Sequence, residues 1–310
     1  MKKYSKIVLA GGSGQIGTAL VEYYKDIAQS IVILSRAPEK HEGNIHTLTW
    51  DGKTLGSWAK ELDGADMLIN LAGKNVNCRY NKKNCEEIIN SRVNSINVLT
   101  DAIKLCKTQP KLYIQSASAT IYRHAEDRPM TEENGEIGEG FSVGVCKIWE
   151  STFWEQTKQF TQMRKAVLRI SLVFGPKEGV FPRLKNLVKF GLGGKQGNGK
   201  QMVSWIHEKD VAGIVDWIAT HPEIEGTFNC TSPTPVNNKA MMQIIRKACG
   251  MPIGLPAPTL LLEAGAILIG TETELILKSR WVLPDKILKT GYQFLFPEMK
   301  TAVAEIISGK

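Results

Sequence analysis

A glycine-rich segment near the N-terminus has the spacing of a dinucleotide-binding turn. Residues 11–17 read Gly-Gly-Ser-Gly-Gln-Ile-Gly and follow an apolar run that ends at Ala10. Gly11 permits a tight turn, Gly14 lets the backbone approach a pyrophosphate, and Gly17 lets the following helix pack on the strand. The first helical turn then offers free N–H groups and a positive dipole end to phosphates. The segment predicts dinucleotide contacts from Gly11, Ser13, Gly14, Gln15, Ile16 and Gly17, with an ordinary tight turn as the alternative.

The end of the second predicted strand indicates which dinucleotide binds. An NAD site usually has Asp or Glu there, to accept from the ribose 2′-hydroxyl, whereas a 2′-phosphate requires a cation. This strand ends in Ser35 and Arg36, and no acid occurs before Glu39. The arginine fork can bind a phosphate and the serine can donate a hydrogen bond. We therefore expect NADP(H); a solvated surface arginine is the alternative.

The elements that must position these residues follow from composition and periodicity. The chain has 310 residues, 43% of them hydrophobic and 23% charged, which excludes disordered, collagen-like and coiled-coil classes. Short β-branched runs near residues 6–10, 31–34, 46–50, 67–71, 112–115 and 166–170 alternate with helical patterns such as 18–28, 85–106 and 210–220. This alternation predicts an α/β fold, a Rossmann-type doubly wound parallel sheet.

The alternation stops after about residue 230, where prolines separate helical segments. We expect a dinucleotide-binding domain of residues 1–176 and 201–230. Residues 177–200 and 231–310 are expected to form a smaller, mostly helical lobe that closes over the nicotinamide half of the site.

Charge and cysteine usage restrict the partners. The net charge of +8 favours anionic ligands, but no Lys/Arg block resembles a nucleic-acid arm. The six cysteines form no C-x-x-C pair and the five histidines no H-x-x-x-H, so no metal site is predicted. Scattered cysteines and the lack of a long apolar run predict a cytoplasmic protein without a membrane partner. The oligomeric state stays open.

Several motifs together resemble one superfamily. Beyond the glycine turn and Ser35-Arg36, they are Asn70-Leu71-Ala72-Gly73, Ser116-Ala117-Ser118-Ala119 and Ser204-Trp205-Ile206-His207. With them the chain resembles the extended short-chain dehydrogenases/reductases, the superfamily of the sugar-nucleotide epimerases. More narrowly, it is similar over nearly its whole length to atypical NAD-dependent epimerase/dehydratase-like proteins that end in a small domain of unknown function. The resemblance implies the fold and NADP binding, but no defined reaction.

The resemblance also implies site residues. Trp50 and Asp51 correspond to positions near the adenine amino group, and Leu71, Ala72 and Gly73 to positions against the adenosine and ribose. Lys74, where the subgroup usually has an acid, and Arg79 are either phosphate contacts or exposed loop cations. Ser116 belongs to the strand-end motif and is assigned to the cofactor, and Ser118 aligns with the catalytic serine of the epimerases.

The acid–base pair usual in this superfamily, Tyr-x-x-x-Lys, is missing. None of the seven tyrosines is followed four residues later by lysine. Aligned through Glu150, the two positions hold Ser142 and Cys146, and Lys147 lies about 100° away around a helix of about 3.6 residues per turn. Tyr122, four residues after Ser118, is the first candidate for a replacement acid. Lys147 and His207 follow, although His207 is expected to orient its loop or cap a helix.

A basic loop completes the set of candidates. Residues 194–201 approach the ATP-binding pattern G-x-x-x-x-G-K-[ST], but Gln201 lacks the magnesium-binding hydroxyl and the segment follows a helix. We interpret it as a glycine-rich loop at the substrate cleft. Residues 177–200 contain six cations and one acid, which suits a small anionic substrate or a solvated basic face.

Two functions therefore stay open. The first is an NADP(H)-binding, epimerase-like oxidoreductase of unknown substrate that uses Ser118. The alternative is an NADPH-binding sensor or regulatory protein with little or no catalysis.

Overall fold

The computed structural model describes residues 2–259, 262–263, 272 and 274–309. The strands are β1 (Tyr4–Ala10), β2 (Ala28–Ser35), β3 (Lys40–Glu42), β4 (Ile45–Thr49), β5 (Met67–Asn70), β6 (Leu112–Ser118), β7 (Arg164–Ile170), β8 (Leu172–Phe174), β9 (Met202–Val203), β10 (Trp205–His207), β11 (Gly226–Cys230) and β12 (Val236–Asn237). The helices are α1 (Gln15–Tyr24), α2 (Lys82–Lys104), α3 (Phe141–Thr157), α4 (Val180–Lys189), α5 (Glu208–Thr220), α6 (Asn238–Ala248), α7 (Glu274–Leu277), α8 (Asp285–Lys289) and α9 (Met299–Ser308).

The main sheet has the order β11-β7-β6-β5-β1-β2-β4-β3. Its pairs are parallel except β3 with β4, so the carboxyl ends of β1, β2, β4, β5, β6 and β7 lie along one edge. Since β1 has β2 on one side and β5 on the other, the strand order reverses there, and open α/β sheets bind ligands at such a switch point. The predicted Rossmann-type fold is confirmed.

Apolar side chains alternate between the two faces of the sheet. Ile7 and Leu9 of β1 pack with Leu20 of α1 and Ile214 of α5. Val8 of β1 packs on the opposite face in the core that α2 and α3 cover. Strands buried on both faces read as continuous apolar runs, which is why the sequence indicates them well.

Helix ends differ from the predicted ones for local reasons. The helix predicted over 18–28 spans Gln15–Tyr24, because Ala28 already belongs to β2. The helix predicted over 85–106 begins at Lys82, because the side chain of Asn81 accepts from Asn84 N and caps it. The short strand β3 was not predicted; its three residues are exposed and carry no apolar alternation.

The smaller lobe has its own core, in which α4, α6 and α9 pack together. Its largest buried side chains include Phe174, Phe181 and Trp205. Val203 and Trp205, assigned above to the larger domain, lie in this core, whereas Ile287 and Tyr292 pack into the core on the α1/α5 face of the main sheet. The predicted division therefore cuts through shared packing. Residues 260–261, 264–271, 273 and 310 of the predicted lobe lie outside the described residues.

A short extended segment, residues 280–283, joins the two parts and is called the strap below. On one side Arg280 N donates to Met202 O at 2.8 Å and Ser204 N to Arg280 O at 2.9 Å. On the other, Met130 N donates to Trp281 O at 2.7 Å and Leu283 N to Met130 O at 2.9 Å. The strap is therefore hydrogen-bonded along both edges. In the described part of the chain, no helix is long and apolar enough to cross a bilayer.

Candidate functional site

The glycine turn between β1 and α1 contains glycines that differ in what surrounds them. Gly11 has a φ of +75°, and a Cβ there would lie 2.7 Å from Ala72 Cα. A Cβ on Gly17 would lie 2.1 Å from Gly12 O, whereas one on Gly14 would meet nothing within 4 Å. Packing therefore requires Gly11 and Gly17, while Gly14 faces open space at the start of α1. No side chain caps this helix, so its N-terminus suits a phosphate group.

Ser35 and Arg36 lie beside this turn, since Gly11 N donates to Leu34 O at 2.8 Å. Ser35 is buried, and its Oγ accepts from Ala37 N at 3.2 Å. Arg36 is exposed and makes no hydrogen bond or ion pair with the residues that the structure describes. An arginine without a carboxylate partner at this edge fits the 2′-phosphate of NADP(H).

Trp50 and Asp51 follow β4 at the same edge. Trp50 is buried with its ring 5.7 Å from that of Trp58, and its indole N–H has no partner in the described chain. The Asp51 carboxylate accepts from Lys53 N at 2.9 Å and from Thr54 N at 2.8 Å, which closes a turn. Its contact with adenine stays a prediction. The carboxylate closes a turn, yet it keeps free lone pairs that suit an adenine amino group.

Leu71, Ala72 and Gly73 lie directly after β5, on the other side of the turn. Asn70 is fully buried and its Oδ1 accepts from Ala72 N at 3.0 Å, which fixes this loop. Lys74 is not a free cation, because its Nζ donates to Asn84 Oδ1 at 2.8 Å and pairs with Glu87.

Arg79 is likewise engaged, through Nη1, with Glu272 Oε2 at 3.3 Å. Both cations already have carboxylate partners, which favours a structural role over a phosphate contact.

Ser116 and Ser118 lie at the carboxyl end of β6. The Ser116 Oγ is buried and has no partner in the described chain, which leaves it available to a ligand. The Ser118 side chain is half-buried, and its Oγ accepts from Thr120 N at 3.2 Å. Its proton stays free to be donated to another group.

The two positions aligned with the missing pair lie on α3. Ser142 Oγ donates to Glu274 Oε2 at 2.9 Å and lies 3.3 Å from the Tyr80 hydroxyl. Cys146 is buried, and burial raises the pKa of its thiol to about 11. The thiol is therefore neutral near pH 7 and cannot replace a lysine. Lys147 is exposed.

Tyr122, the first candidate for the replacement acid, lies in a hydrogen-bonded network inside the protein. The side chain is buried; its hydroxyl donates to Asn229 Oδ1 at 2.9 Å and accepts from Arg169 Nη1 at 2.8 Å. Arg169 is in turn held by Glu150, with two contacts of 2.8 Å. Burial raises the pKa of Tyr122, and Arg169 offsets only part of this. The Tyr122 hydroxyl thus has protein partners for both donation and acceptance, and its role as the acid stays a prediction.

His207 caps α5, as predicted. Its Nδ1 accepts from Lys209 N at 3.1 Å, and its Nε2 lies 2.9 Å from Glu305 Oε2. The 194–201 loop is held by residues 255–257 of the smaller lobe, since Gly194 N donates to Leu255 O at 3.1 Å and Gly197 N to Ala257 O at 2.8 Å.

Sequence reasoning missed three side chains near Ser118 and Ser142. Tyr80 and Glu274 both contact Ser142, and Lys278 Nζ donates to Thr120 O at 3.0 Å. The residues that meet here are separated by 62 to 158 positions along the chain. No local spacing signals such a meeting, and only distant pairings could have indicated it. Among the described residues, no three His, Cys, Asp or Glu side chains cluster as a metal site would require.

The parallel sheet, the glycine turn at its switch point and the strand-end serines define a dinucleotide-binding protein of the extended short-chain dehydrogenase/reductase type. The model of the NAD-dependent epimerase/dehydratase family matches residues 7–231, and that of a domain of unknown function, DUF1731, matches residues 257–306. The chain belongs to the NAD-dependent epimerase/dehydratase family.

Similar proteins cover nearly the whole chain. Epimerase family protein YfhF of Bacillus subtilis is 29% identical over 305 residues, which is 98% of each chain. Human epimerase family protein SDR39U1 is 28% identical over 310 residues, 98% of this chain and 100% of the human one. The crystal structure of human SDR39U1 (isoform 2) with NADPH superposes with a TM-score of 0.85 at 26% identity, over 98% of this chain and 100% of the other.

Proposed function

We propose that this protein binds NADP(H) and acts as an epimerase-like oxidoreductase on a small anionic substrate, with Ser118 as a catalytic residue. The observation that carries the proposal is the open space at Gly14, at the uncapped N-terminus of α1, on the sheet edge where β2 ends in Arg36, whose guanidinium has no partner among the described residues. Backbone N–H groups there suit a pyrophosphate, and the arginine suits a 2′-phosphate. Human SDR39U1, crystallised with NADPH, supports the same choice.

Each part of the site has a separate task in this proposal. Bound NADP(H) supplies hydride chemistry at a carbon that carries oxygen. Ser118 donates its hydroxyl proton in a hydrogen bond to that oxygen and so stabilises charge that develops on it. Leu71, Ala72 and Gly73 form the wall against the adenosine and ribose, and Ser116 offers its buried hydroxyl to the cofactor. The cations of residues 177–200 attract the anionic substrate.

Replacing Arg36 by alanine tests the cofactor. We expect the wild type to bind NADPH more tightly than NADH. A charge-assisted hydrogen bond contributes about 1.5–3 kcal/mol, so Arg36→Ala should weaken NADPH binding about 10- to 150-fold and leave NADH unchanged. Both affinities are measured by fluorescence titration.

Lys40→Ala is the matched control, because Lys40 is an exposed cation four residues away that pairs with Glu42 at 2.8 Å. It should leave both affinities unchanged. Equal affinities for the two nucleotides in the wild type would contradict the assignment. An equal loss of NADPH affinity in Lys40→Ala would show that general electrostatic attraction, and not a contact from Arg36, favours NADPH.

A second function, an NADPH sensor, is favoured by one observation. The buried thiol of Cys146 and the hydroxyl of Ser142 hold the positions where a lysine and a tyrosine are expected. Acid–base groups typically contribute about 10²–10⁴ in rate, so their loss would leave a binding protein. Stopped-flow NADPH oxidation across a panel of carbonyl compounds distinguishes the two. Turnover that Ser118→Ala abolishes supports the enzyme, and tight binding without turnover supports the sensor.

A further inference from the structure

A phenol from another segment lies beside the position aligned with the missing tyrosine. Ser142 occupies it on α3, and the Tyr80 hydroxyl lies 3.3 Å from Ser142 Oγ. Tyr80 belongs to the loop that leaves the carboxyl end of β5 and leads into α2, so it reaches α3 from a different element. Its half-buried ring packs against Phe141 at 4.8 Å between centroids. The phenol is thus held by packing beside the start of α3.

We propose that Tyr80 is the proton-exchanging phenol of the site, and that Lys278, from the smaller lobe, supplies the positive charge that the missing lysine would have supplied. This inference rests on the proposed NADP(H)-dependent function and names the acid that it needs. The Tyr-x-x-x-Lys pair would then be rebuilt from two distant segments of the chain.

Hydrogen-bond directions around Ser142 define a proton path. The single Ser142 proton is donated to Glu274 Oε2 at 2.9 Å. Ser142 Oγ must therefore accept from Tyr80, so the phenol is the donor in that contact. The path runs from Tyr80 through Ser142 to Glu274. The Glu274 side chain is 35% exposed, which connects the path to solvent.

Lys278 links this path to Ser118. Its side chain is only 8% exposed; Nζ lies 3.7 Å from Glu274 Oε1 and donates to Thr120 O at 3.0 Å. Thr120 N in turn donates to Ser118 Oγ at 3.2 Å. The chain of contacts from Ser118 to Tyr80 is therefore continuous through Thr120, Lys278, Glu274 and Ser142.

The charges around Tyr80 come from several elements. Glu272 and Glu274 of the smaller lobe and Cys78 of its own loop face it, as do the Arg92 guanidinium of α2 and the buried Arg280. Burial raises the pKa of Tyr80, and the negative charges of Glu274, Cys78 and Glu272 near the phenol raise it further. Without a cofactor the phenol keeps its proton near pH 7. A positively charged nicotinamide beside it would favour the phenolate.

The step balances in both directions. In reduction, a carbonyl carbon of the substrate takes the hydride and its oxygen takes the Tyr80 proton, which gives an alcohol. Ser142 then returns a proton to the phenolate and regains one through Glu274 from solvent. In oxidation, the phenolate would accept the alcohol proton while the hydride leaves the carbon for NADP⁺, and Tyr80 would pass the proton through Ser142 and Glu274 to solvent. Ser142, Glu274 and Lys278 are positioning residues in this scheme.

Tyrosine titration tests the inference without a known substrate. Protein labelled with ¹³Cζ-tyrosine is titrated by NMR alone, with NADP⁺ and with NADPH, and Tyr80→Phe assigns the resonance. We expect the Tyr80 pKa to fall by about one unit or more with NADP⁺ but not with NADPH, because only NADP⁺ has a positively charged nicotinamide. Lys278→Met should raise the pKa in every state, and Tyr23→Phe is the control on a distant, exposed tyrosine.

The outcomes separate the two proposals. Nucleotide affinities are measured on the same samples, and Tyr80→Phe should keep them within about twofold. If NADP⁺ and NADPH both bind and shift the Tyr80 resonance equally, or not at all, the phenol is not beside the nicotinamide and the inference is wrong while the proposed function stands. If neither nucleotide binds, the proposed function fails and this inference fails with it.

Discussion

Gly14 and Gly17 lie three residues apart in the same turn, yet alanine should affect them in opposite ways. At Gly14 the backbone is extended, with φ −92°, and an added Cβ meets no atom within 4 Å. At Gly17 the added Cβ would lie 2.1 Å from Gly12 O, a backbone atom that cannot rotate away. Gly14→Ala is therefore expected to disturb the ligand, and Gly17→Ala the fold.

The magnitudes follow from these surroundings. Alanine at an N-cap costs up to about 1 kcal/mol relative to glycine, and the lower entropy of the unfolded chain offsets about 0.4–1 kcal/mol. Gly14→Ala should therefore change the free energy of unfolding by less than about 1 kcal/mol. Gly17→Ala creates an overlap that typically costs about 1–3 kcal/mol or more. For NADPH, loss of one charge-assisted contact at Gly14 costs at least about 1.5 kcal/mol, more than tenfold in affinity.

Urea unfolding with and without NADPH measures both effects. At a concentration 100 times the wild-type Kd, NADPH should stabilise the wild type by about 2.7 kcal/mol. A tenfold weaker Kd in Gly14→Ala reduces this to about 1.4 kcal/mol, while the unfolding curve without nucleotide hardly moves. A folded Gly14→Ala protein with wild-type NADPH affinity would refute the placement of the pyrophosphate. An unchanged stability of Gly17→Ala would refute the packing argument.

Two further predictions concern residues buried away from the glycine turn. Tyr122→Phe leaves the buried Asn229 and the partly buried Arg169 each short of one hydrogen bond, so it should lower the free energy of unfolding by about 1–3 kcal/mol without changing NADPH affinity. A large loss of NADPH affinity in a stable protein would show that Tyr122 belongs to the site. Burial lowers the pKa of His207 below 6.5, so only the unfolded chain takes up that proton just below pH 6.5. Stability should therefore fall as pH drops through this window, by up to about 1.4 kcal/mol per pH unit. His207→Asn keeps a capping side chain and should flatten urea-unfolding stability between pH 7.5 and 5.5; an unchanged pH dependence would assign the effect to another group.

Local chemistry explains which features the sequence predicts well. The left-handed φ of Gly11, the contact of Gly17 with Gly12, the apolar runs of the strands and the His207 cap each depend on residues close by in the chain. The prediction of Tyr122 gave weight to its four-residue distance from Ser118, whereas a 3-10 turn at Ala119–Ile121 and an extended residue follow that serine. The backbone there turns the phenol towards Arg169. Tyr80 could not be found from the sequence, because it lies 62 positions from its partner Ser142. Ser142 in turn contacts Glu274 across 132 positions of the chain.

The strap also has a consequence for the order in which the chain is synthesised. Its partner Ser204 precedes Arg280 by 76 residues, so the polar edge of β9 and β10 stays unpaired until the strap has been made. At about 5–20 residues per second this gap lasts about 4–15 s on the ribosome. During that time Met130, whose N–H and C=O later bind the strap, also lacks its partner. The two segments that match separate family models are therefore expected to fold as one cooperative unit, and a chain truncated before residue 280 should be prone to aggregation through these open edges.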